Sequence, residues 1–238
     1  MKILRPIYSA AGIFFPIGKP DDGGTCQYAS DVCLKKCYAL EKDYDEVLNI
    51  PEEDKKKIYD FFVNESLVTV CNKIIREMNE LQVKILTWFA SGDCLDKDVD
   101  RIYRIMFLLH EEGIIQNGFT RNVGLYDTII KDMVINHIVL TVESKAVKDA
   151  PDGNYPKGLW AIPNYKTGVV ELHHGKLGHV SYGGCGMNDV TTQFKGKEVV
   201  IASNCLGCYN KKIGCFICIP PRPECDNCKD RFRCYTKE

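Results

Sequence analysis

Apolar positions open the chain in two short groups, Ile3-Leu4 and Ile13-Phe14-Phe15, and predict a first strand broken by Pro6 and Gly12. Pro16-Ile-Gly18-Lys-Pro20-Asp-Asp-Gly23-Gly24 then reads as a loop. From Pro51 the period turns helical. Glu52, Glu53 and Asp54 supply first-turn acids, and Ile58, Phe61 and Phe62 repeat at helix spacing. Asn64 is expected to cap a second helix whose stripe is Leu67, Val70, Cys71, Ile74, Ile75 and Met78. Val83 to Ala90 is short and β-rich and stops at Ser91-Gly92-Asp93. Asp96 is expected to cap the next helix, with Val99, Ile102, Ile105, Met106 and Leu109 on one face and Gly113 closing it. Ile114 to Thr120 predicts a strand, Leu125 to Val134 a helix, and Asn136 to Glu143 the clearest strand of all.

Strands alternating with helices at this spacing predict an α/β fold: a parallel sheet with right-handed crossover helices. The count stops short of eight β/α units, so the expectation is a partial (β/α) barrel-like sheet. After Ala150 the pattern changes. Pro151, Gly153, Pro156 and Gly158 punctuate a loop, short strands are expected at Leu159–Ile162 and Val169–His173, a Gly-rich bend at Ser181 to Gly186, and a strand at Glu198–Ala202. From Asn204 there is little to bury and much to ligate. The expected division is an α/β core over 1–203 and a small cysteine-rich C-terminal appendage over 204–238, folded around metal or cluster rather than around an apolar core.

The 238 residues, 45% of them hydrophobic, suffice for one sizeable core and argue against two large domains. A formal charge of −1 gives no overall positive field, so any nucleic-acid contact must be local and no membrane surface is expected as partner. No run of eighteen apolar residues occurs, and Met-Lys-Ile-Leu-Arg-Pro does not read as a secretory signal; the chain is expected to be cytosolic (cytoplasmic).

Cysteine changes the picture. Thirteen are present, an odd number in a chain of this size read as cytosolic, which argues against a disulfide framework. Eleven lie within 26–37 or 185–234, and such clustering is what ligation to a common centre requires. Cys71 reads as a buried core thiol. Cys26, Cys33 and Cys37, spaced Cys-x6-Cys-x3-Cys, make a three-point metal or cluster site on a loop leaving the first strand. They are one short of four. Either a distant ligand completes a zinc or iron–sulfur site, or one position stays open for chemistry.

With Tyr38 directly after the third thiol, this loop resembles that of the radical S-adenosylmethionine (radical SAM) superfamily, although its spacing is wider than the common Cys-x3-Cys-x2-Cys. Ser91-Gly92-Asp93 is similar to that superfamily's turn at the end of the second strand. Together with the β/α order and the tail, these motifs resemble an uncharacterised phage-type branch whose members carry a Cys-x6-Cys-x3-Cys-Tyr-Ala loop, a Ser-Gly-Asp strand end and a cysteine-rich C-terminal tail. The likeness covers residues from about 24 to 145 and the tail. It implies a [4Fe–4S] cluster on Cys26, Cys33 and Cys37, S-adenosylmethionine on its open iron, and Ser91, Gly92 and Asp93 receiving the cofactor's amino group. It also implies reductive cleavage to a 5′-deoxyadenosyl radical, fed by an electron donor and acting on a peptide, an RNA or a small molecule.

Ligands of parallel α/β sheets bind beyond the carboxyl ends of the strands, which adds Thr120, Arg121 and Asn122 at one strand end, Glu143, Ser144 and Lys145 at the next, and Pro163-Asn164-Tyr165 and Ser203-Asn204 at later ones as candidate cofactor or substrate contacts. Polar loops at strand ends are also what any sheet requires. The tail runs Cys205-x2-Cys208-x6-Cys215-x2-Cys218-x6-Cys225-x2-Cys228-x5-Cys234, with Cys185 upstream. These thiols can close one auxiliary [4Fe–4S] cluster, two such clusters, or one or two zinc sites; the first site tilts the reading toward iron–sulfur. Arg222, Lys229, Arg231 and Arg233 suit a local nucleic-acid contact or simply solvate a small module. His173, His174 and His179 are candidates for a ligand or acid/base role, or belong to an exposed hairpin. The rival function class is a non-catalytic zinc or iron–sulfur accessory protein whose tail contacts nucleic acid or protein.

Overall fold

A computed structural model describes residues 1–7, 10–40, 50–132 and 138–142, and beyond them the backbone of five strands between 159 and 201. The opening apolar groups form a hairpin rather than one broken strand: β1 (Leu4–Ile7) pairs antiparallel with β2 (Ala10–Phe14), Leu4 opposite Ile13 and Ile7 opposite Ala10. Pro6 is tolerated because β1 is the edge of the sheet, where a missing N–H costs no ladder bond. β3 (Ile85–Ser91), β4 (Ile115–Thr120) and β5 (Ile138–Thr141) follow in spatial order, each parallel to its neighbour. The protein is thus α/β, and its first five strands make a mostly parallel sheet.

The backbone continues the sheet with β6 (Leu159–Asn164), parallel to β5, and then antiparallel β7 (Val169–His174) and β8 (Leu177–Tyr182). His173 and His179 are backbone register partners in the β7–β8 hairpin. β9 (Val190–Phe194) and β10 (Lys197–Ile201) form a separate two-stranded sheet. The alternation in the sequence does not anticipate β8 or β9, and β8 runs into the start of the expected Gly-rich bend. Glu143, Ser144, Lys145, Tyr165, Cys185, Ser203, Asn204, all seven tail cysteines and the proposed boundary after residue 203 lie outside the described residues.

Among the described residues five α-helices accompany the strands: α1 (Asp31–Lys35) inside the cysteine loop, α2 (Glu52–Asn64) and α3 (Leu67–Glu80) between β2 and β3, α4 (Val99–Glu111), and α5 (Val123–Asp132). Asn64 ends α2 instead of capping α3; Ser66 is the cap, its Oγ accepting the Thr69 N–H at 3.1 Å. Strand order follows chain order from β1 to β5, and right-handed crossovers then put successive helices in one layer, where α3 packs on α4 and α4 on α5.

The main core lies between that layer and the sheet, built from Ile58 and Phe62 of α2, Ile74 and Met78 of α3, Ile102, Ile105 and Leu109 of α4, and Leu86 and Trp88 of β3. Phe15, just past β2, sits edge-on to Tyr59 at 4.8 Å and Phe62 at 5.2 Å, so α2 is anchored at the end of β2 where the cysteine loop begins. Cys71 and Cys94 are buried in this core. Among the described residues no helix is long and apolar enough to cross a membrane.

Candidate functional site

β3 is longer than its neighbour: Gly12 pairs with Thr87 and Phe14 with Ser91, so one residue of β2 spans three of β3. Phe89 absorbs the bulge at φ +55°, a left-handed conformation rare for an aromatic residue. The bulge brings Ser91 to the end of β2. Phe15 N–H donates to the Ser91 carbonyl at 2.9 Å and the Ser91 hydroxyl donates to the Phe15 carbonyl at 2.9 Å. Gly92 follows at φ +71°, packed directly against Phe15 and Thr25.

The loop from Pro16 to Cys26 folds back on itself to reach this turn. The Thr25 N–H and hydroxyl both donate to the Pro16 carbonyl, at 3.0 and 2.9 Å, and the Thr25 Oγ accepts the Asp93 N–H at 3.0 Å. Cys26 N–H donates to Gly18 O at 2.8 Å. Lys19 threads its ammonium into the cysteine loop, donating to the carbonyls of Gln27 and Ala29. Ser30 then caps α1 by accepting the N–H of Cys33 at 3.1 Å, and Tyr38 opens a 3-10 turn directly after Cys37. Backbone bonds and one cation therefore order a segment too short of apolar residues to order itself.

The three thiols are neither fully buried nor fully exposed. Burial pushes the Cys26 thiol up to about 12, with the charges of Asp93, Cys37 and Cys33 adding to the shift and a backbone hydrogen bond from Gly18 opposing it. Burial also raises Cys37, against the backbone hydrogen bonds from Ala39 and Leu40. Metal-free thiols of this kind are protonated at neutral pH, and ligation would displace their protons. Among the described residues no three His, Cys, Asp or Glu side chains gather as ligands of a single metal ion.

Asp93 is 5% exposed, and its carboxylate joins two strand ends. Oδ1 accepts the Cys94 N–H at 2.8 Å and the Thr120 hydroxyl at 2.6 Å, and Oδ2 accepts the Arg121 N–H at 2.7 Å. Oδ2 keeps a lone pair to offer a cationic ligand. Burial nonetheless raises this carboxyl to about 6, against the three hydrogen bonds, which favour the anion.

Asn122 is fully buried and spends its amide within the protein: Nδ2 donates to Cys94 O and Asp96 Oδ1, both at 2.9 Å, and Oδ1 caps α5 by accepting the Leu125 N–H at 2.9 Å. Ser91, Gly92, Asp93, Arg121 and Asn122 thus lie together beyond the ends of β3 and β4, beside the cysteine loop.

Four side chains here are not among the sequence candidates: Lys19, Thr25, Gln27 and Tyr28. Asp96, expected as a helix cap, belongs with them. It sits in a 3-10 turn, makes no capping bond, and accepts Gln27 Nε2 at 2.8 Å and the Tyr28 hydroxyl at 2.5 Å through Oδ2. Its own N–H donates back to Gln27 Oε1 at 3.2 Å. The signals in the sequence are thin: Thr25 precedes Cys26, and Asp96 falls three residues past Asp93.

The bonds from Gln27 and Tyr28 are solvated but the Asn122 amide that Asp96 also accepts is buried, so Asp96→Ala is expected to cost no more than about 1–3 kcal/mol of global stability. It should nonetheless loosen residues between Cys26 and Cys33, read as faster hydrogen exchange there with the α2–α4 core unchanged. Neither a family model nor a curated protein nor a solved structure matches the chain.

Proposed function

We propose that the chain is a radical SAM-like iron–sulfur enzyme of the cytosol, its parallel strands forming a partial (β/α) barrel with the reaction centre beyond their carboxyl ends. The reading rests on one observation: a loop carrying three thiols and the Ser91-Gly92-Asp93 turn are neighbours there, joined by the Asp93 N–H to Thr25 bond and close enough that the charge of Asp93 adds to the rise that burial gives the Cys26 thiol. The donor set fits a [4Fe–4S] cluster, since three thiolates are the soft ligands such clusters take and leave one iron without a protein ligand. When bound, the cluster would supply one electron to S-adenosylmethionine and break a carbon–sulfur bond, giving a 5′-deoxyadenosyl radical.

The chain's own residues do the rest. Cys26, Cys33 and Cys37 would hold the cluster. Asp93 offers Oδ2 to the cofactor's ammonium, because burying that charge unpaired is costly. The arginine of the β4 end, Arg121, is suited to the cofactor carboxylate by its fork of donors. Cys185 and the tail cysteines 205, 208, 215, 218, 225, 228 and 234 would hold one or two auxiliary clusters, zinc being the alternative. An electron donor is required as partner, and the substrate is a peptide, an RNA or a small molecule.

Anaerobic purification followed by iron, sulfide and zinc analysis tests this, with electron paramagnetic resonance before and after S-adenosylmethionine. Iron and sulfide in excess of one [4Fe–4S] cluster are expected, together with a changed spectrum on cofactor addition and 5′-deoxyadenosine after reduction with dithionite. Replacing Cys26, Cys33 and Cys37 together by Ala should remove one cluster and spare the tail's metal. A colourless zinc protein would favour the accessory-protein reading. A reduced cluster blind to saturating cofactor would point to a fourth protein ligand and a structural role.

A further inference from the structure

α2 places a lysine where a helix of this kind rarely buries one. The first turn of α2 is otherwise solvated: Lys57 pairs with Glu53 and Asp54 in the open, and Lys56 pairs with Asp60. Lys55 instead turns inward beside Ile58 and Tyr59, its side chain 6% exposed. Its Nζ reaches Glu52 Oε1 at 2.6 Å, but Glu52 is 54% exposed, and among the described residues it is the ammonium's one hydrogen-bond partner. An ammonium this far from solvent keeps a charge that water screens poorly. The ion pair also touches the cysteine loop, since Glu52 Oε2 accepts the N–H of Ile17 at 3.2 Å. On the thiol side, the Lys55 charge acts on Cys37, where it opposes the effect of burial.

We propose that Lys55 is an electrostatic positioning residue for the cluster on Cys26, Cys33 and Cys37, its buried ammonium stabilising the reduced form and so raising the reduction potential, with Glu52 attenuating the effect. This rests on the function proposed above. The physical reason is charge balance. A cluster bound by three thiolates is anionic, and gaining one electron from the external donor makes it one unit more negative. A fixed cation in a poorly solvated position interacts more favourably with the more negative state. A surface lysine would be screened, whereas one under 10% exposed is not.

The test is a redox titration of the reconstituted full chain followed by electron paramagnetic resonance, the first cluster's signal being the one lost when Cys26, Cys33 and Cys37 are replaced by Ala. Lys55→Met, of similar length and without charge, should disfavour reduction about tenfold, equal to about 59 mV for one electron. Glu52→Gln removes the opposing charge and should shift the potential the other way, and Lys55→Arg should restore a value near wild type. Damage to the fold does not produce opposite signs from the two halves of one ion pair. Should Lys55→Met fail to load, Glu52→Gln and Lys55→Arg still decide the question. An unchanged potential in the variants that load, or shifts of the same sign in Lys55→Met and Glu52→Gln, would overturn the assignment. Wild-type protein with no signal dependent on the three cysteines would overturn the proposed function and this inference with it, a result distinct from a cluster whose potential ignores Lys55.

Discussion

Gly92→Ala is expected to destabilise the protein by about 2–5 kcal/mol, the sum of left-handed strain and overpacking. At φ +71° an alanine is already strained, and its Cβ would lie 2.6 Å from Thr25 Oγ1 and 2.7 Å from both the carbonyl carbon and the Cβ of Phe15. None of these atoms can retreat cheaply. Phe15 is pinned to Ser91 by two hydrogen bonds and wedged against Tyr59 and Phe62, and Thr25 is held by Pro16 and Asp93. Gly113→Ala is the control. That glycine, at φ +74° after α4, has nothing within 4 Å of an added Cβ, so only the backbone strain of about 1 kcal/mol remains. Urea unfolding of the two variants should separate strain from steric exclusion. Equal losses would mean that the end of β2 yields to the added methyl.

Asp93→Asn carries the second large effect, on binding and on pH dependence together. An amide can keep the bonds from Cys94 and Thr120 through its oxygen, but its NH2 would face the Arg121 N–H now satisfied by Oδ2. Affinity for S-adenosylmethionine is expected to fall by about 1–3 kcal/mol, the worth of a charge-assisted hydrogen bond, with the cluster retained. The carboxyl's folded pKa, about 6, exceeds its ordinary 3.8. Between those values the folded chain keeps a proton that the unfolded chain has lost. This group's contribution to stability is therefore full below the lower value, declines as pH rises through the window, and levels off above about 6. The decline is on the order of 2–3 kcal/mol and should vanish in Asp93→Asn. Cofactor binding should run the opposite way, strengthening as pH rises through the same window because the ammonium needs the anion. Calorimetry of wild type and variant on both sides of pH 6 reads both trends, and a variant with the wild-type pH profile would remove Asp93 from the binding role.

The periodic patterns locate elements because burial on one face imposes its period on the chain. Val83 to Ala90 and Ile114 to Thr120 became β3 and β4 within a residue or two, and the stripe from Val99 to Leu109 became α4. The same reasoning missed where backbone turns rather than side-chain period decide. Ile3 to Phe15 reads as one interrupted strand, yet its ends pair with each other; hairpin closure is a contact between residues and leaves no period. Asn64 and Ser66 are both good caps, but α2 runs on through Asn64, which leaves Ser66 to cap α3.

For the site, the amino-acid order alone determined the chemistry on offer: three thiols on a polar loop, a Gly-Asp turn at a strand end, and the strand and helix order that makes the sheet parallel. Tertiary structure decided which of these residues meet and in what state. Asp93 became a buried anion acceptor clasping β3 to β4, and Asn122 spent its amide on Cys94, Asp96 and the start of α5. Asp96 turned to Gln27 and Tyr28. Lys55, one of three consecutive lysines at 55–57, was the one turned inward. Spacing along a chain specifies which groups share a face, but desolvation and the choice among hydrogen-bond partners depend on what a different part of the chain brings to that face. Those are set only when β2, β3 and β4 lie side by side.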